Sequence, residues 1–227
     1  MKSSFVFFLI TLLKTTDGFC QNGSKIISYE PYTPTTSAKA KEYYNNGHDY
    51  ILGQNFREAV EALSLAIDID PDYVDAYDDL SLAYRQINRL DSAEYFYLIS
   101  HQKYPLGTVA IKNMAVVEER RGHYKKAVEY YNKALAVNSK DPEIYYGLSK
   151  MYLMLKMFHD ALDNGNTAEK YYKQMDNPHM GDLYGVLCTI HYMLNNSQLA
   201  RKYMGLAQEA GIKIDPQISG WLETITK

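Results

Sequence analysis

The stretch Val74–Gly107, VDAYDDLSLAYRQINRLDSAEYFYLISHQKYPLG, is repeated in pattern along most of the chain. Steps of about 34 residues in either direction bring an alanine back to the position of Ala93 and a small residue back to the position of Ser81. The alanines are Ala59, Ala93, Ala127, Ala161 and Ala200. The small residues are Gly47, Ser81, Ala115, Ser149 and Cys188. Because a period of this length holds two helices and a turn, the pattern predicts a stack of helical hairpins.

Further positions are shared between these segments. In the quoted stretch Tyr77, Leu80 and Tyr84 precede the alanine, and Tyr97 and Pro105 follow it. The combination resembles the tetratricopeptide repeat (TPR), and the resemblance extends from Ala40 to about Ile214. It implies an all-α, right-handed superhelical solenoid of about five helix–turn–helix hairpins. The expected repeats are residues 40–73, 74–107, 108–141, 142–175 and 181–214, the last displaced by the insertion 176–180.

The small residues have a physical reason that does not depend on the family. Two helices can approach to about 8–10 Å only where their crossing point carries small side chains. The five alanines supply this point on the second helix of each hairpin, and the small residues supply it on the first. Cys188 lies at such a crossing, so we expect a buried, inert thiol there.

The two ends of the repeat region carry further signals. Ser37 is a candidate N-cap for the first helix. In residues 215–227, Ile218, Trp221, Leu222 and Ile225 recur with helical spacing on one apolar face. An array of repeats exposes an apolar face at its end, so these residues predict a capping helix in which Trp221 packs against the core.

Two departures from the pattern fall in and after the fourth repeat. Gly165 stands where the pattern has a large residue, which predicts weaker packing of that hairpin's second helix against the next repeat. The insertion 176–180 is expected to be a tolerated surface loop. A hinge formed together with Gly165 is the alternative.

Residues 1–20 have the composition of a secretory signal peptide. Lys2 precedes an apolar run, Phe5–Leu13, that is too short to span a bilayer. Cleavage after Cys20 would leave an exported chain, periplasmic or secreted, with residues 21–37 as a flexible linker and no membrane-inserted segment. Acylation of Cys20 as a lipoprotein is the less favoured alternative. The residues around Cys20 also resemble export signals of the Bacteroidetes group.

Composition excludes some partners and leaves others open. The formal charge of −3 provides no general attraction to nucleic acid. Tyrosine is abundant, with 22 residues, and many of them occupy the large positions of the repeat, where packing accounts for them.

The resemblance also implies a binding surface. In the family, the first helix of each repeat lines a concave groove that holds a segment of another protein. The positions of this sequence expected to contact a partner are Tyr44, His48, Asp75, Asp78, Asp79, Leu82, Lys112, Asn113, Val116, Arg120, Tyr146 and Lys150. Affinity is expected from tyrosine and apolar contacts, and orientation from the acidic residues and from Lys112 and Arg120.

One subtype of the family is unfavourable here. Members that bind chaperone tails hold the terminal carboxylate with a clamp of lysine, arginine and asparagine. The matching positions are Tyr44, His48, Asp79, Val109 and Asn113, which include no permanent cation. We therefore expect a different partner, whose identity the sequence does not contain.

No pattern typical of catalysis or cofactor binding was found. The histidines show no pair spaced four residues apart, and no glycine-rich phosphate loop or Gly-x-Ser-x-Gly elbow is present. We therefore predict a non-enzymatic interaction scaffold without cofactor or metal. The alternatives are a structural subunit of an envelope or secretion assembly, and an enzyme with its site across the groove.

Overall fold

The computed structural model describes residues 34–175 and 180–224. The predicted signal peptide, most of the predicted linker, the core of the insertion and Ile225 lie outside this part. Within it all regular secondary structure is α-helix. The helices are α1 (Ala38–Leu52), α2 (Phe56–Ile69), α3 (Val74–Gln86), α4 (Leu90–Lys103), α5 (Thr108–Arg120), α6 (Tyr124–Val137), α7 (Pro142–Met154), α8 (Phe158–Met175), α9 (Met180–Met193), α10 (Ser197–Glu209) and α11 (Pro216–Thr224).

These helices form the expected solenoid of five hairpins followed by one further helix. Each odd-numbered helix from α1 to α9 packs against the even-numbered helix that follows it, and each hairpin packs against the next. Direct contacts also join α1 to α3, α3 to α5 and α7 to α9. The first helices of the repeats therefore lie side by side along one surface, and the predicted fold class is confirmed.

Helix starts agree with their sequence signals. The Ser37 hydroxyl accepts a hydrogen bond from the Ala40 backbone N–H, at 3.2 Å, and so caps α1 as predicted. Asp141 caps α7, whose first residue is Pro142. Both caps satisfy N–H groups that have no partner within the first helical turn.

The turns inside the hairpins share a feature that the sequence pattern does not display. Each contains one residue in the left-handed region, namely Gln54, Asn88, Gly122, Lys156 and Asn195, with φ between 56° and 77°. Glycine occupies only one of the five positions. Asparagine, at two further positions, also tolerates this conformation, but it costs Gln54 and Lys156 about 1 kcal/mol or more, so these two turns are held by the packing of their helices.

The helix crossings are as close as the small residues predicted. The five alanines of the second helices are completely buried, and so are Ser81, Ala115, Ser149 and Cys188. The Ser149 hydroxyl donates to the carbonyl of Ala161 at 2.8 Å. The Cys188 thiol makes the equivalent bond to Ala200 at 3.4 Å, and burial raises the pKa of this thiol to about 11. The burial and the hydrogen bond of Cys188 are those of the buried, inert thiol that we expected.

The prediction for Gly165 was wrong. A Cβ atom at this position would lie 2.7 Å from Cδ2 of Leu187 and 3.0 Å from Oγ of Ser149. Leu187 is completely buried at this contact. The absent side chain therefore allows α9 to pack closely on α8, and a large residue there would not fit.

Helix α11 covers the end of the array, as predicted. Ile218 and Leu222 are buried among the residues of α9 and α10. Trp221 is half-buried and packs edge-on against Tyr192, with 5.0 Å between ring centroids. Arg201 of α10 donates to the Leu222 carbonyl at 2.7 Å and so satisfies an acceptor near the end of α11.

An ion network joins the second and third hairpins. The Glu118 side chain is only 1% exposed and accepts hydrogen bonds from Arg121, His123 and Lys126 at 2.7 to 3.0 Å. Arg121 also reaches Glu94 of α4 at 2.5 Å. Burial alone would raise the pKa of Glu118, but the three donors together hold this pKa below its usual value.

Candidate protein-binding groove

The row of first helices carries the predicted contact residues. Its amino-terminal part joins α1 to α3 through Tyr44, His48 and Asp79. The Asp79 carboxylate lies 2.8 Å from Nδ1 of His48, whose ring stacks on Tyr44 at a centroid distance of 5.9 Å. Tyr44 also packs on Tyr73, at 4.9 Å. The sequence placed three of these side chains in the groove, and the structure brings them into one cluster.

The electrostatics of this cluster are dominated by burial and by acidic neighbours. Burial, followed by the charges of Asp75 and Asp79, raises the pKa of Tyr73 to about 12, and the pKa of Tyr44 is raised for the same reasons. Burial likewise raises the pKa of Asp79, and the bond to His48 opposes this change. Both phenols therefore remain neutral hydrogen-bonding groups at physiological pH.

A small acidic hollow follows between the second repeat and α5. Its volume is about 90 Å³. It is lined by Val74, Asp75, Asp78, Ser100, Tyr104, Gly107, Val109 and Ala110. The carboxylate of Asp78 accepts a hydrogen bond from the Ser100 hydroxyl at 2.6 Å. Burial raises the pKa of Asp78 to about 7, against the opposing effect of this bond.

A larger aromatic cleft lies between α5 and α7, with a volume of about 290 Å³. Its lining is Val109, Lys112, Asn113, Val116, Glu119, Tyr131, Glu143, Tyr146, Gly147 and Lys150. Tyr131 comes from α6 and reaches the cleft because Gly147 has no side chain. The Tyr131 hydroxyl lies 2.7 Å from the place that a Cβ of residue 147 would take. The contact between these two residues thus forms part of the cleft's lining.

Both lysines of the aromatic cleft are paired with carboxylates. Lys112 lies 2.6 Å from Asp141, and Lys150 lies 2.7 Å from Glu119. The Lys150 ammonium also lies 5.5 Å from the centroid of the Tyr146 ring. These pairs neutralise both lysines, so the cleft carries no excess positive charge.

The hollow and the cleft adjoin one another. Both are lined by Val109, whose side chain is 47% exposed between them. The hollow and the cleft therefore lie next to each other, and we treat them as one depression. We refer to this depression, with the adjoining Tyr44–His48–Asp79 cluster, as the groove.

The remaining predicted contacts are placed differently. Arg120 is exposed and uses its guanidinium at the carboxyl end of α3, where it donates to the Arg85 carbonyl at 2.6 Å and to the Gln86 side chain at 3.0 Å. Leu82 is half-buried on α3. Neither residue lines the acidic hollow or the aromatic cleft.

Of the lining residues of the aromatic cleft outside the predicted contacts, Val109, Glu143 and Gly147 occupy groove-facing positions of the repeat, whereas Glu119 and Tyr131 were missed from the sequence. Glu119 follows the predicted Val116 on the same face of α5, so helical periodicity could have found it. Tyr131 lies on a second helix and was assigned to packing between hairpins. It is only 4% exposed, and its place in the cleft depends on a glycine one repeat away.

Two searches of the described residues bear on other kinds of site. Across residues 34–175 and 180–224, no cluster of three or more histidine, cysteine or acidic side chains could hold a metal ion. In the same part of the chain, every helix is too short or too polar to cross a membrane.

Comparison with known proteins supports the repeat assignment. Residues 120–156 match the family described as TPR repeat. The chain is 21% identical over 165 residues to anaphase-promoting complex subunit 3 of Schizosaccharomyces pombe, covering 73% of this chain and 24% of that protein. It is 26% identical over 135 residues to tetratricopeptide repeat protein 16 of Mus musculus, covering 56% and 18% respectively. The chain therefore spans about a quarter or less of these relatives.

Solved structures show the same fold. PilF of Pseudomonas aeruginosa superimposes with a TM-score of 0.68 at 17% identity, covering 77% of this chain and 78% of that one. Cut9, from the APC/C hetero-tetramer Cut9–Hcn1, gives 0.71 at 16% identity, covering 76% and 33%. MamA of Desulfovibrio magneticus RS-1 gives 0.63 at 15% identity, covering 78% and 97%. Together with the repeat match, these likenesses support a TPR repeat protein, and at such low identity they establish the fold alone.

Proposed function

We propose that this chain is a non-enzymatic scaffold that binds an extended segment or a helix of another protein in its groove. The observation that carries the proposal is the aromatic cleft. It is open to solvent, it is lined by Tyr131 and Tyr146 around a glycine, and both of its lysines are held in ion pairs. Such a cleft can take an apolar side chain without leaving a lysine unpaired.

The expected energetics follow from this geometry. Burial of one large apolar side chain contributes about 1.5–3 kcal/mol. Protein interfaces concentrate their affinity in a few such anchors surrounded by a polar rim. Here Tyr131 and Tyr146 would contact the anchor, and Lys112, Glu119 and Lys150 would form the rim.

The comparisons are consistent with this role. Cut9 was solved as a hetero-tetramer with Hcn1, and the fission yeast relative is a subunit of the anaphase-promoting complex. Solenoids of this type therefore assemble with other chains. The partner of the present chain is a separate question, which we address by experiment.

The alternative is a structural subunit of an envelope or secretion assembly, exported by means of residues 1–20. One observation favours it. Large apolar side chains are exposed on the second helices of the first two repeats, away from the row of first helices. They are Leu65 (44% exposed), Tyr95 (61%) and Leu98 (40%). A partner packed there would use the convex face and not the groove.

Site-specific photo-crosslinking in extracts of the source cells separates the two functions. The photoreactive residue would replace Asn113 in the groove, Tyr95 on the second helix of the second repeat and, as the matched control, the exposed Glu129 on α6. We expect an adduct at 113 that is absent at 129. Adducts at 129 and at Tyr95 but not at 113 would overturn the groove proposal and support the structural subunit.

A further inference from the structure

Charged side chains are distributed unevenly along the groove. In the aromatic cleft the two lysines are matched by Asp141 and Glu119, and Glu143 adds a further carboxylate. In the adjoining acidic hollow, Asp75 and Asp78 contribute carboxylates. Asp78 takes its hydrogen bond from an uncharged hydroxyl, so this bond does not neutralise its charge when the carboxyl is ionised. Among the described residues, the hollow therefore contains two carboxyl groups and no basic side chain, whereas the lysines of the groove lie in the cleft.

Val109 lies at the boundary between these two parts of the groove. This side chain separates the acidic hollow from the aromatic cleft and lines both. A chain lying along the groove would thus have an apolar site and an acidic site on the two sides of one residue. Neighbouring side chains of one short peptide can reach sites this close, since an extended chain advances about 3.3 Å per residue.

We propose that the groove selects partner segments in which a large apolar side chain and a lysine or arginine lie within a few residues of each other. The apolar side chain enters the aromatic cleft, against Tyr131 and Tyr146. The cation enters the acidic hollow, beside Asp75 and Asp78. This inference rests on the function proposed above and adds the chemical class of the partner.

The sizes of the two sites fit these assignments. The cleft, at about 290 Å³, is large enough for an aromatic or leucine side chain. The hollow, at about 90 Å³, can hold the end of a side chain but is too small for an aromatic ring. A cation entering it meets carboxylates that have been partly removed from water, where opposite charges attract more strongly than at an exposed surface.

An acidic partner is disfavoured by the same arrangement. A carboxylate beside Asp75 and Asp78 would bring like charges together, and Lys112 is already bonded to Asp141. The groove would therefore discriminate by repulsion of acidic segments as well as by attraction of basic ones. The sign of the partner's charge is the most direct point to test.

The test uses a display library of random peptides of about twelve residues, selected on the full chain. We expect the enriched peptides to contain a large apolar residue and a lysine or arginine within three positions. Labelled versions would then be measured by fluorescence anisotropy. We expect the double variant Asp75→Asn/Asp78→Asn to bind them about fivefold more weakly, and increasing salt to weaken the binding of wild type more than that of the variant.

The control is Asp72→Asn. This substitution removes a carboxylate from the same acidic stretch, but Asp72 is bonded to Lys103 and lines neither the hollow nor the cleft. It should leave the affinity unchanged. Tyr146→Ala and Val116→Gln test the cleft independently, and circular dichroism would verify that each variant remains helical.

The outcomes distinguish the inference from the function on which it rests. Acidic enriched peptides, or basic peptides bound equally well by the Asp75→Asn/Asp78→Asn variant, would overturn the charge inference. If those peptides still lost binding in Tyr146→Ala and Val116→Gln, the groove function would stand. If neither cleft variant weakened any selected peptide, the groove function itself would be refuted.

Discussion

Leu187 packs against Gly165 so closely that a Cβ atom on residue 165 would lie 2.7 Å from Cδ2 of the leucine. This contact joins the fourth and fifth hairpins, and the buried Leu187 occupies the space next to residue 165. A position that looked like a defect in the sequence pattern is a point of close packing.

Substitution of this glycine should therefore destabilise the protein despite the better helix propensity of alanine. We expect Gly165→Ala to lower the free energy of unfolding by about 1–2 kcal/mol, because overpacking exceeds the gain of roughly 1 kcal/mol from helix propensity. Urea unfolding followed by circular dichroism measures the change.

Gly205 in α10 is the matched control, since a Cβ there would meet no atom within 4 Å. Gly205→Ala should stabilise the protein by about 0.5–1 kcal/mol. Equal stabilisation by both substitutions would show that Leu187 can move away from residue 165 at no cost.

The left-handed turn residues provide a second matched pair. Lys156 and Gly122 occupy equivalent turns, with φ of 60° and 77°. We expect Lys156→Gly to raise the free energy of unfolding by about 0.5–1 kcal/mol, and Gly122→Ala to lower it by about 1 kcal/mol. Nothing lies within 4 Å of a Cβ on residue 122, so its change would report backbone conformation alone. Chemical unfolding measures both, and changes of the same sign would contradict the interpretation.

Glu118 should make stability depend on pH in acid. Its pKa is held below the usual value in the folded protein, so the ionised network stabilises the fold above the unfolded-state pKa. That stabilisation is lost as the pH falls through the folded-state pKa. We expect Glu118→Gln to cost about 3 kcal/mol at pH 7 and to differ little from wild type in strong acid.

Thermal unfolding as a function of pH tests this behaviour, with the exposed Glu129→Gln as the control for loss of one charge. A pH-independent difference between wild type and Glu118→Gln would mean that the side chain acts by packing and not through its charge.

Asp78 should have the opposite effect. Its folded-state pKa of about 7 lies above the ordinary value of 3.8, so the folded protein holds the proton more tightly than the unfolded chain. Stability from this group is present below the unfolded-state pKa and declines as the pH rises toward 7. Asp78→Asn keeps a hydrogen-bond acceptor for Ser100 without this penalty.

We therefore expect Asp78→Asn to gain stability relative to wild type between about pH 4 and pH 8, by on the order of 2 kcal/mol. Denaturant unfolding at several pH values measures the gain. A constant difference across this range would indicate that Asp78 is ionised and well solvated in the folded protein. The expected gain also means that weaker peptide binding by the Asp75→Asn/Asp78→Asn variant could not be attributed to unfolding.

Much of the groove was predictable because the repeat pattern indicates which face of each first helix lines the concave side of the array. The resemblance to the repeat family identified Lys112, Asn113, Val116, Tyr146 and Lys150, which line the aromatic cleft. The contributions of other helices were not predictable in this way. Tyr131 enters the cleft across Gly147, and Ser100 reaches Asp78 from α4, so each depends on a distance between hairpins.

The amino-acid sequence by itself determined the hairpins, their number and their order. Small residues that recur at a constant interval mark the points where successive helices cross closely, and each repeat contains this information for itself and its neighbour. Only the tertiary structure decided which charged side chains are paired with an opposite charge. Lysines of the first helices lie beside carboxylates of adjoining segments, whereas Asp78 faces a hydroxyl. Charge pairing depends on distances of a few ångströms between side chains far apart in the chain, and a periodic pattern contains no such distances.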